Sequence, residues 1–162
     1  MSEMLGNQYF LARKYDLART ELQTSLLKDV KNKRIRRKLI ICYTQTGEIE
    51  RAMEIFLSLI KEDVDFIINT DPIDDDCPCP EIVFDLEKQI PNNKNSKNFS
   101  LTLGMLWLYC DLKKSIQYFK DAQKLATKDT TIKSILIFLN SRLDQKNNTL
   151  GKSNKIKEEV LN

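Results

Sequence analysis

The chain has 162 residues, a net charge of +3, 30 % charged residues and no histidine. That length suffices for one core or a short repeat array, and without an imidazole no serine–histidine or cysteine–histidine nucleophile pair can form within the chain. The small net charge conceals three blocks: residues 1–61 carry +5, residues 62–87 carry ten acidic and no basic groups, and residues 88–162 carry +8. An acidic middle between two basic flanks is expected to be held by the chain's own opposite charges rather than spread over nucleic acid.

In chain order, Leu5, Tyr9 and Ala12 share one face of a first predicted helix, and a short turn follows at Arg13-Lys14. Ala18, Leu22 and Ser25 share one face of a second. The run KDVKNKRIRRK, residues 28–38, holds seven basic groups and one acid. Its alternation sends Ile35 and Leu39 inward and Arg34, Arg37 and Lys38 to another face. A second helical pair follows, with Gly47 suited to the left-handed backbone that ends a helix. Residues 65–69 extend or begin a helix, and TDPIDDDCPCP, residues 70–80, reads as a loop. Pro80 can open a helix over EIVFDLEKQI, with Glu81 at its positive end and Ile82, Val83, Leu86 and Ile90 as its apolar face. Residues 91–98 form a polar linker. LTLGMLWLYC, residues 101–110, is about half the length that crosses a bilayer. Residues 131–143 read as an amphipathic capping helix, and residues 144–162 as a polar tail with a short helix or disorder near KEEVL.

The first sixty residues repeat. Leu5 matches Leu39, Tyr9 matches Tyr43, Tyr15 matches Ile49, Ala18 matches Ala52 and Leu22 matches Phe56, each pair 34 residues apart. Leu5, Gly6, Tyr9, Tyr15 and Ala18, then Leu39, Tyr43, Gly47, Ala52 and Phe56, resemble the tetratricopeptide repeat family, whose unit is two antiparallel helices in 34 residues. The bulky aromatic that the family places early in the first helix is missing from both units. A third unit aligns Ser115, Phe119 and Ala122 with Ala52, Phe56 and Leu59 at an offset of 63. It puts Phe99 in the early aromatic position, Leu106 in the tyrosine position and a turn at Cys110-Asp111. The resemblance implies an all-α solenoid of antiparallel hairpins over residues 1–143. Its repeats fall at about 1–32, 33–66 and 96–129, and an acidic insertion occupies about 67–95.

That resemblance also implies a non-catalytic adaptor that binds a partner protein or peptide on the concave face of its first helices. Repeat geometry would place Asn7, Arg34, Arg37 and Gln45 on the groove side, with Leu5, Tyr9, Leu39 and Tyr43 turned into the stack. Two arginines one turn apart suit an acidic or C-terminal segment, and Asp71 to Asp76 of the same chain could compete for them. The family's full carboxylate clamp is absent, because Glu3 stands where a basic residue is needed. Trp107 is read as core. Two other functions compete. Cys77 and Cys79 could serve metal or thiol chemistry, with Cys42 and Cys110 completing a tetrahedral set. One proline between them is too short for usual ligand spacing, so a stiff structural loop is the preferred reading, with a disulfide as a further option. The basic run 28–38 could bind nucleic acid, but no aromatic residues interleave with it as stacking platforms. The acidic run lacks the alternating ligands and glycine of a calcium loop. No cofactor, membrane contact or enzymatic activity is expected. The four cysteines and the absence of a secretory pattern after Met1 point to reduced thiols in the cytoplasm.

Overall fold

The computed structural model describes residues 2–161, and every regular element among them is helical. The helices are α1 (Ser2–Leu11), α2 (Tyr15–Lys28), α3 (Lys33–Gln45), α4 (Ile49–Asp63), α5 (Asp65–Ile68), α6 (Cys79–Glu87), α7 (Lys97–Trp107), α8 (Leu112–Leu125) and α9 (Thr130–Leu161), with a 3-10 turn at Ile90–Asn92. α1 pairs with α2, α3 with α4 and α7 with α8. α2 also packs on α3, α4 on α7 and α8 on α9, so each hairpin leans on the next.

The first two hairpins turn in the same way. The Lys14 N–H donates to the Tyr9 carbonyl at 2.9 Å, and the Glu48 N–H donates to the Tyr43 carbonyl at 2.9 Å. The residue before each donor is left-handed, Arg13 at φ 61° and Gly47 at φ 78°. The 34-residue offset is therefore a repeat of backbone geometry as well as of side chains. The third hairpin closes one residue sooner, with the Asp111 N–H donating to the Trp107 carbonyl at 2.7 Å and no left-handed residue in the turn.

That shorter turn corrects the register of the third unit. Trp107, not Leu106, occupies the position of Tyr9 and Tyr43, because its carbonyl closes the turn. Gly104 then corresponds to Gly6. A Cβ on Gly6 would lie 2.8 Å from Leu22 Cγ, and one on Gly104 would lie 2.9 Å from Phe119 Cδ2. Both glycines let a first helix press its backbone on the second. The caps agree: Asn32 Oδ1 accepts from the Ile35 N–H at 3.1 Å, and Ser96 Oγ accepts from the Phe99 N–H at 3.1 Å. First helices are thus 64 residues apart and second helices 63.

α1 also differs from expectation. Gly6 and Phe10 are its buried residues, while Leu5 and Ala12 are exposed and Tyr9 is half-buried. Close approach at Gly6 rotates the helix so that Phe10 enters the core, edge-on to Tyr15 at 6.0 Å. Leu39 and Tyr43 do turn inward, joined by Ile40, Ile41 and Cys42, because α3 is covered on both sides. Ala18, Ala52 and Ser115, the matched small residues, are all fully enclosed. Ser115 Oγ donates to the Gly104 carbonyl at 2.6 Å. Phe56 and Phe119, with ring centroids 5.5 Å apart, join the second and third hairpins.

Pro80 does sit in the first turn of α6, but that helix stops at Glu87 and the 3-10 turn carries Ile90. The expected capping helix is present, started by Asp129 Oδ1 accepting from the Ile132 N–H at 3.1 Å. Ile132, Ile135, Leu136 and Leu139 are its buried stripe. It does not stop at residue 143. The segment read as a polar tail continues the same helix to Leu161, exposed from Asp144 onward. The apolar period fades there, but no proline follows Pro91 and half of the residues are good helix formers.

Two substitutions check these assignments by urea unfolding of the full chain. Gly104→Ala is expected to cost about 1–3 kcal/mol by overpacking against Phe119. Arg13→Gly is expected to stabilise by about 1 kcal/mol, since it relieves a left-handed L-residue. An unchanged midpoint for either would place the repeat turn elsewhere.

Candidate peptide-binding groove

α3 carries the basic run, and its period distributes that run to four destinations. Lys33 Nζ reaches Asp63 Oδ2 at 2.9 Å and Arg36 pairs with Glu62, so these two tie α3 to α4. Lys38 Nζ donates to Asn7 Oδ1 at 2.8 Å and lies 5.6 Å over the Phe10 ring, tying α3 to α1. Arg37 points toward the acidic insertion. Lys28, Lys31 and Arg34 have no ion pair among the described residues.

Arg37 is buried, and its guanidinium is the most heavily engaged side chain in the molecule's basic half. It donates to the Phe66 carbonyl at 3.0 Å and to Thr70 Oγ1 at 3.4 Å, and its Nη2 lies 2.9 Å from Asp75 Oδ1. It also stacks 4.4 Å over the Phe66 ring. From α7's side, the Tyr109 hydroxyl donates to the Arg37 carbonyl at 2.6 Å. Burial raises the Tyr109 pKa, so the phenol stays a donor.

The acidic segment is shaped to present Asp75. Asp71 Oδ1 accepts from the Ile73 N–H at 2.8 Å and the Asp74 N–H at 2.9 Å, which holds its carboxyl below the usual range. Asp75 accepts in turn from the Asp71 N–H at 2.8 Å. The Cys77 N–H donates to the Pro72 carbonyl at 3.0 Å, with Asp76 left-handed at φ 51°. The segment is therefore a closed turn seated on α3. Burial lowers the Lys38 pKa, and the nearby Asp76 opposes that shift.

Of the four groove residues read from the sequence, Arg34 alone is exposed and unpaired. Asn7 is half-buried on Lys38, and Gln45 is half-buried, donating to Thr44 Oγ1 at 3.4 Å. Arg37 is not an open groove residue, because the chain's own Asp75 covers it. Lys38 joins the groove in its place. Tyr109, Phe66 and Thr70 were missed, since nothing in a helical period marks a partner supplied by a loop.

Cys77 and Cys79 are both buried, and Pro78, at φ −77° and ψ 8°, curls the chain so that their sulfurs face each other. Cys42 lies in the core, where burial pushes its thiol up to about 12, and burial with Asp111 raises that of Cys110. Neither free thiol is activated as a nucleophile or ligand. Among the described residues, no three His, Cys, Asp or Glu side chains cluster in a way that could hold a metal ion. Nor is any described helix long and apolar enough to cross a membrane.

No family model matches the chain, and no curated protein matches it.

Removing Arg37's charge should damage the fold and removing Lys38's should not. Arg37→Met leaves the Phe66 carbonyl, Thr70 and half-buried Asp75 without their buried donor and is expected to cost about 1–3 kcal/mol. Lys38→Met, a partly exposed contact, should cost under about 1 kcal/mol. Hydrogen exchange across residues 71–77 should accelerate in the first variant only.

Proposed function

We propose that this chain is a non-catalytic protein-interaction module. In this reading it is a short solenoid of tetratricopeptide-type hairpins whose first-helix face takes an acidic peptide segment. The solenoid reading is supported by the 34-residue recurrence of the Tyr9 and Tyr43 turn bonds and by the small residues at Ala18, Ala52 and Ser115. The carrying observation for function is the seat of Asp75 on Arg37. A carboxylate from an acidic turn already occupies the face of α3, beside exposed Arg34 and the Lys38–Asn7 pair. Arginine with neighbouring amide and ammonium donors is suited to carboxylate recognition. The geometry lends less to the competing readings. The Cys42 and Cys110 thiols are raised in pKa, and Lys33, Arg36, Arg37 and Lys38 are engaged within the chain rather than presented to phosphates.

The test uses fluorescent peptides ending in acidic residues, and amide-for-acid versions of them, titrated with the full chain. Asp74→Asn and Asp76→Asn together should strengthen binding of the acidic peptide by removing negative charge beside Lys38, with Asp75 kept because it partners the buried Arg37. Arg34→Glu with Lys38→Glu should weaken it about tenfold, the sum of two partly exposed charge contacts. Arg37 is left intact, so lost binding cannot be blamed on lost folding. Equal binding of acidic and amide peptides would overturn the reading.

A further inference from the structure

Two hollows adjoin on the C-terminal half of the chain. One, of about 300 Å³, lies between the acidic turn, α6 and the end of α7, and its walls include Pro72, Pro80, Phe84 and Trp107. The other, of about 540 Å³, lies between the α7–α8 turn and α9, over Leu108, Leu112, Leu143 and Leu150. Ile68 and the exposed Cys110 line both, so the two hollows sit side by side as a divided trough between Phe84 and Leu150. Its two ends are apolar and open, with Phe84 59 % and Leu150 55 % exposed. Phe84 stands edge-on to Trp107 at 6.3 Å, and the enclosed indole N–H of Trp107 has no acceptor among the described residues. The chain's own packing is thus incomplete at that end.

The charge of the trough is divided, with the acidic turn around Asp71 at the α6 end and basic groups at the α9 end. Lys113 and Lys146 line the α9 end, and neither has an ion pair among the described residues. Asp111, the carboxylate beside them, is engaged as the cap of α8, accepting from the Lys114 N–H at 3.1 Å. We infer that this trough is a second docking surface, and that it takes an amphipathic acidic segment of a partner protein. Apolar side chains of that segment lie against Phe84, Cys110 and Leu150, and its carboxylates lie over Lys113 and Lys146. Charge decides the occupant. The exposed end of α9 from a second copy carries Lys152, Lys155 and Lys157 against Glu158 and Glu159, so it stays net positive and meets those lysines with like charge. The class of partner rests on the interaction-module reading, but the residues are separate from Arg34 and Lys38.

The experiment selects displayed random peptides against the full chain and reads the site through Cys110, the one exposed free thiol among the described residues. Selected peptides are expected to combine leucine or aromatic residues with Asp and Glu, and to slow alkylation of Cys110 by N-ethylmaleimide. They should bind Lys113→Glu with Lys146→Glu about tenfold more weakly, and Arg34→Glu with Lys38→Glu as tightly as the parent. Peptides that weaken only with the Arg34 and Lys38 changes would support the groove and overturn the trough. So would peptides that leave Cys110 reactivity unchanged. Selection of no peptide, with protection of Cys110 by oleate vesicles alone, would overturn it in favour of a lipid site.

Discussion

Arg37 is the point at which three otherwise separate parts of the chain are fastened. Its side chain holds the Phe66 carbonyl, Thr70 and Asp75, and its carbonyl holds Tyr109 from the third hairpin. Without it, the segment between α5 and α6 would have few reasons to lie on α3. A buried guanidinium is costly unless its donors are met. Here carbonyl, hydroxyl, carboxylate and ring share that task, so the acidic turn is required by the arginine as much as the arginine by the turn.

The same logic extends beyond this site. Lys33–Asp63, Arg36–Glu62, Arg37–Asp75, Lys114–Glu87 and Arg142–Asp65 each join the acidic middle to one of the basic flanks. Most of these pairs are partly exposed and individually weak. The apolar core, running from Phe10 through Phe56 and Phe119 to Leu139, supplies the drive to fold. The charges determine where the non-repeating middle lies on that core. Asp65 on Arg142 and Glu87 on Lys114 bring the ends of the insertion to α9 and α8.

How far the sequence disclosed this depends on the range of the interaction. Ala18 and Ala52, like Tyr9 and Tyr43, recur at a fixed spacing, so the first two hairpins could be read from periodicity alone. The three charge blocks likewise announced that the chain would pair with itself. Gly104 escaped because one residue is missing from the Cys110-Asp111 turn, and a reading at a constant offset passes over it. The face of α1 was misread because Gly6, which has no side chain to score, determines how the helix sits. Arg37 looked like an open groove residue because its position on α3 is local, whereas its partners come from residues 66, 70, 75 and 109. The continuation of α9 was hidden for the opposite reason: a helix exposed on all sides has no apolar stripe to reveal it.

On the proposed reading, the seat of Asp75 also limits what could bind the groove. A tethered segment competes at an effective concentration set by its short linker, on the order of millimolar for flexible chains. The turn between Thr70 and Cys79 is closed by its own hydrogen bonds, so its ordering cost has already been met by folding. A lone carboxylate from outside has no advantage over it at Arg37. An incoming segment gains only by reaching cations the turn leaves open, and Arg34 is exposed one helical turn before Lys38 on the same helix. The hydrogen-bond partner of Lys38 is Asn7, an uncharged group that a carboxylate can displace. The groove would then discriminate by the number and spacing of acidic groups rather than by charge alone. A ligand with two carboxylates one helical turn apart could use both cations without disturbing the buried Arg37 site on which the fold depends.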